Sequence, residues 1–145
     1  MIRLPSWREV LDGPWALRLR SGSTGPWLMR GEARDDVVDV RFLAGTAART
    51  VADALSELGT AFQLEVPLGG FGDLADAMTP ERPLALLVLD ADRLLADEPA
   101  HLASLIAGLR SAADRAVLRV VFQARELTLE AEAVLAEFGV AEIAA

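Results

Sequence analysis

The run Leu84–Leu89, LALLVL, constrains this chain more than any other stretch. It is apolar at every position and is bounded by Pro83 and Asp90. A strand with two apolar faces belongs inside a parallel sheet, with cover on both sides. The flanking segments can supply that setting. Residues 37–43 and 117–122 read as further strands. Thr50 caps a helix reaching about Leu58, with Val51, Ala54, Leu55 and Leu58 on one face and Gly59 as its stop. Residues 61–66 fit either a short strand or an extended connection. Pro99 opens a long amphipathic helix with Leu102, Leu105, Ile106, Leu109 and Ala113 as its apolar stripe. Residues 126–138 form another helix, ended by Gly139, and 140–143 add an edge strand. Strands alternating with helices give an α/β class: a small, mostly parallel sheet packed by helices.

Three parts of one domain are expected. Residues 1–36 form an N-terminal arm packed on the core, 37–122 the α/β core, and 123–145 a C-terminal helix-strand extension. In the arm, Ser6 and Glu9 fit a capping box. Residues 16–20 alternate apolar and basic, which predicts a half-exposed strand, with 27–30 as its hairpin partner. Trp7, Trp15 and Trp27 all fall here and read as core anchors or cover for a sheet edge, in preference to a stacking platform for single-stranded nucleic acid.

Charge narrows the function classes. The net charge is −8. Residues 65–98 hold eight acids and two arginines, whereas 110–125 hold four arginines and one acid. An acidic middle disfavours nucleic acid, whose binding depends on neutralising phosphates. It favours a basic protein partner drawn in by electrostatic steering. There is no cysteine, so neither disulfides nor thiolate metal sites are available. The N-terminus lacks a signal-peptide core and no apolar run reaches the ~20 residues of a membrane span. A cytoplasmic protein without membrane contact is the expectation.

Catalytic sets are missing. The one histidine, His101, has no nucleophile or orienting partner in any recognisable motif. Residues 86–90, LLVLD, have the look of a Walker B strand, but a chain without lysine cannot carry the matching phosphate-loop motif. Asp90, Asp92, Asp97 and Glu98 lack the spacing of a calcium loop. Gly69-Gly70-Phe71-Gly72 precede acids, which would repel a phosphate; a turn requiring positive φ is the expected reason for the glycines. A short helix follows, with Asp73 and Asp76 three apart on one face and Leu74, Ala77 and Met78 on the other. The expectation is a non-enzymatic protein needing no cofactor, metal or small-molecule substrate, with those carboxylates offered to a partner.

The order of features over residues 37–122 resembles the barstar family, the intracellular inhibitors of barnase-type ribonucleases. The matching stretches are VVDVRFLAGTAARTVADALSELG, VPLGGFGDLADAM, PLALLVLD, a long helix ending LRSA, and VLRVVF. The resemblance implies a small parallel sheet packed by helices. It also implies that an acidic helix and the turn before it plug the active site of a basic ribonuclease or toxin, as in an immunity protein. Carried onto this sequence, Phe71 and Gly72 match the aromatic-glycine turn, Asp76 the principal helix acid and Asp73 a second one. Glu81, in the same acidic stretch but outside that match, is expected to face the partner as well. The chain departs from the pattern in its shorter helix, in Ala75 where an aromatic is common, and in Ser111 where a later acid is expected. The alternative is a non-catalytic α/β regulatory module, like an anti-sigma-antagonist domain, although Pro99 stands where a phosphorylatable residue would be needed.

Overall fold

The computed structural model describes residues 5–21, 38–78 and 82–143. Its centre is a five-stranded sheet, parallel throughout, of β1 (Ala16–Leu19), β2 (Asp39–Ala44), β3 (Leu84–Leu89), β4 (Leu118–Gln123) and β5 (Ala141–Glu142), in the order β2-β3-β4-β1-β5. The α/β class and helix-packed parallel sheet expected from the periodicity are therefore present. β3 lies between β2 and β4. Its side chains alternate between two cores: Leu84, Leu86 and Val88 on one face, Ala85 and Leu87 on the other. That explains why this segment has no polar position.

Among the described residues, four helices cover the first face: α2 (Val51–Ala61), α3 (Leu74–Ala77), α4 (Leu102–Arg115) and α5 (Leu129–Glu137). Helix α1 (Trp7–Asp12) covers the second, sinking Trp7 and Val10 against Leu19, Leu87 and Val121. The α1 capping box forms as Ser6 and Glu9 predict. Thr50 caps α2 through Asp53 N–H, but the helix passes Gly59 and ends at Ala61. The Gly59 carbonyl accepts from Leu64 N–H and its Cα faces open space, so glycine is tolerated there rather than a stop. Residues 61–66 make no strand beyond the end of α2. Helix α5 starts later than residue 126, because the Thr128 hydroxyl accepts from Ala131 N–H and fixes the first turn.

The N-terminal strand corrects one expectation. β1 is an interior strand between β4 and β5, not a half-exposed ribbon. Arg18 is only 3% exposed, its Nη1 paired with Glu132 of α5 and 3.6 Å from Glu142 of β5. The alternating basic residue is not solvated: its buried charge is met by acids of the C-terminal extension. The suggested hairpin partner at 27–30 and Trp27 lie outside the described residues. Trp7 is fully buried and Trp15 donates from Nε1 to the Phe138 carbonyl at 2.7 Å, so both anchor the arm.

Candidate partner-binding face

The acidic segment is built on helix α4. A single 3-10 turn, Phe71–Asp73, leads into α3. Gly108 of α4 lies directly under it: a Cβ there would stand 3.0 Å from the Phe71 carbonyl carbon and closer still to its oxygen. Only glycine lets the helix approach so near. The Phe71 ring is buried beneath the turn, at 6% exposure, along with Leu74. Phe71 is therefore an anchor, and the outward surface consists of Gly72, Asp73 and Asp76, all exposed. Glu81 lies outside the described residues.

The glycines before the turn are not there for positive φ. Among the described glycines only Gly139 adopts it, at 74°. Gly70 is extended at φ −172°, and neither Gly70 nor Gly72 would crowd a neighbour with a Cβ. Gly69 has a spatial role instead: the Asp73 carboxylate folds over it, its Oδ2 3.1 Å from where a Cβ would be.

The two carboxylates differ in company. Asp76 accepts a hydrogen bond from Arg115 Nη1 at the end of α4. Their side chains are 76% and 61% exposed, so water screens the pair and it contributes about 0–1 kcal/mol. No cation pairs with Asp73 among the described residues. Gly108, Ala112 and Arg115 share one stripe of α4, at i, i+4 and i+7. The stripe that seats the turn thus also delivers Arg115 to Asp76. Small residues at that spacing were the available sequence signal for this contact. Ser111 is exposed on the same helix.

Two other acids of the middle segment have structural partners. Glu98 Oε1 accepts from Val51 N–H at 2.9 Å and caps α2, while Asp97 pairs with Arg49 at 2.8 Å. The Asp97 carboxylate raises the Arg49 pKa by hydrogen bonding and charge. Among the described residues no three His, Cys, Asp or Glu side chains gather as a metal site would require. His101 is exposed in a 3-10 turn before α4.

At the carboxyl end of the sheet Gln123, which no local sequence pattern marks, bridges two backbone segments. In open α/β sheets, ligands favour the crevice where the strand order reverses. Here the chain leaves β1 for β2 at one edge and later crosses from β4 over β1 to β5, so that point lies between β1 and β4. Gln123, buried at the end of β4, spans it. Its Oε1 accepts from Asp90 N–H at 2.9 Å and its Nε2 donates to the Ser21 carbonyl. Asp90 is held in the left-handed region at φ 49°, and Gly45 packs so closely that a Cβ would be 2.9 Å from the Asp90 carbonyl carbon. A groove of about 550 Å³ opens at the opposite end of β2 and β3, between Phe62, Leu64, Met78 and Leu84, beside the Asp39–Arg82 pair at 3.1 Å.

No family model and no curated protein matches the chain. Solved structures do share its fold. A chain of Drosophila ORC bound to AT-rich DNA and Cdc6 superposes with a TM-score of 0.60 at 18% identity, over 94% of this chain and 50% of that one. A chain of Drosophila ORC bound to DNA gives 0.60 at 17%, over 94% and 83%. Drosophila ORC bound to GC-rich DNA and Cdc6 gives 0.59 at 16%, over 94% and 51%. This chain thus spans about half the length of two of these three. At such identities the likeness is one of fold alone. Among the described residues no helix is long and apolar enough to cross a membrane.

Proposed function

We propose that this chain is a barstar-like protein inhibitor, an immunity protein acting in the cytoplasm. It binds a basic ribonuclease or toxin through Gly72, Asp73 and Asp76 and performs no reaction of its own. The observation that carries this reading is the seating of the acidic turn on α4 through Gly108, with Phe71 and Leu74 buried beneath and both carboxylates outward. A preorganised anionic surface loses little entropy on binding and steers a cationic partner toward it. The strand-helix order of residues 39–122 supports it too, since β2, β3 and β4 form a contiguous parallel unit within the larger sheet.

The test is inhibition of a barnase-type ribonuclease, with affinity followed by calorimetric titration. Asp73→Ala with Asp76→Ala is expected to cost about 2–5 kcal/mol of binding, as for loss of anchoring charge partners. Asp97→Ala, whose carboxylate serves Arg49, should cost far less. Equal and small losses reject Asp73 and Asp76 as anchors.

The fold likeness favours a second reading, a non-catalytic α/β module acting inside a larger protein assembly, since the similar chains come from ORC structures. DNA contact by this chain itself is disfavoured by its charge of −8. A gel-shift with duplex DNA at low salt, giving a retarded complex, would support DNA contact and count against the inhibitor.

A further inference from the structure

We propose that Arg115 is an intramolecular competitor for the anionic face, occupying Asp76 until a partner's cation replaces it. The proposal rests on the inhibitor reading for its biological setting but has its own test. Arg115 ends α4, on the same stripe as Gly108, which meets the acidic turn, and the buried Ala112. Its guanidinium reaches the Asp76 carboxylate across the helix pair. Both side chains remain solvent-accessible, so an incoming guanidinium or ammonium can reach the carboxylate and displace the resident one. Asp73 stays open beside it and gives an approaching cation its first hold. The outcome is selection: a partner able to place one charge at Asp73 and another at Asp76 succeeds, while a single isolated cation must compete with a tethered arginine. A tethered group has an effective concentration that a free monovalent competitor seldom matches.

The probe is a fluorescent octa-arginine peptide, titrated at low salt against wild type, Arg115→Ala, Arg125→Ala, Asp76→Asn and the Asp76→Asn, Arg115→Ala double variant. Arg125 is an exposed arginine outside this face, so its removal controls for net charge. Arg115→Ala is expected to tighten binding about 1.5- to 5-fold over both wild type and Arg125→Ala, the range for release of an exposed ion pair. The gain should vanish when Asp76 is already Asn. Equal affinity for Arg115→Ala and Arg125→Ala overturns the proposal, as does a gain that persists without the Asp76 carboxylate; undetectable binding by all variants counts as equality. Failure of the ribonuclease titration alongside the expected peptide result would remove the inhibitor reading and leave the competitor in place. The reverse combination would do the opposite.

Discussion

At two positions glycine acts through space rather than through φ. At Gly108 a methyl group would press into the Phe71 carbonyl, and at Gly45 into that of Asp90. Both obstacles are backbone, which has little freedom to yield. Gly108→Ala is therefore expected to destabilise by about 1–3 kcal/mol, as overpacking does, and to displace the acidic turn. Gly72→Ala, with nothing near its Cβ site, should lie within about 0.5 kcal/mol of wild type. Urea denaturation of the two variants compares them directly. Arg18 makes a second point at this scale. Its Nε and Nη2 are buried without hydrogen-bond partners, so its stability depends on the bond from Nη1 to Glu132. Glu132→Ala should cost about 1–3 kcal/mol, the penalty for stranding a buried donor. Adding Arg18→Met should recover part of that loss, because an apolar stem leaves no charge to strand.

At the scale of elements, the clasp between β1 and β5 depends on pH. Arg20 lowers the Glu142 pKa by hydrogen bonding and charge, and Glu142 in turn raises that of Arg20. A depressed carboxylate contributes stability above its unfolded pKa, and that contribution disappears as pH falls through the folded value. The arginine stays charged throughout. Glu142→Gln should therefore flatten the acid limb of the stability–pH curve and leave neutral-to-alkaline slopes unchanged; paired melts from neutral to acid pH check this. These same elements show what the sequence could reveal. β3, the α4 stripe and the α1 capping box were legible because each is written in local spacing or local hydrogen bonding. The partners of β1 were not, since Val120 and Ala141 lie more than a hundred residues away and no local pattern names them. The acidic turn was visible as charge on one face of a short helix. The burial of Phe71 and the reach of Arg115 needed the α4 packing, which Gly108 and Ala112 hinted at only through their size.

For the whole molecule, the sheet order decides what unfolds with what. By sequence the chain divides into arm, core and extension, yet β1 of the arm sits between β4 of the core and β5 of the extension. The extension fastens that strand three ways: Ile143 N–H donates to the Arg18 carbonyl at 3.0 Å, Glu132 and Glu142 meet Arg18 and Arg20, and the Phe138 carbonyl accepts from both Trp15 and Arg110. Leu135 adds apolar packing against the common core. Such coupling predicts one cooperative transition, with calorimetric and van't Hoff enthalpies equal. Ending the chain after Arg125 removes every one of these contacts. It bares the outer edge of β1 and leaves Arg18 without an acid, so the truncated protein should lose cooperative melting and expose an aggregation-prone strand edge. A truncated chain that melts sharply near the wild-type midpoint would instead mean that the core folds alone, and that β1 and the extension are a later wrapping around it. The acidic turn lies on the β3–α4 side, away from this clasp. Partner affinity measured on Glu132→Ala at a temperature where it stays folded should accordingly match wild type, which separates loss of binding from loss of fold.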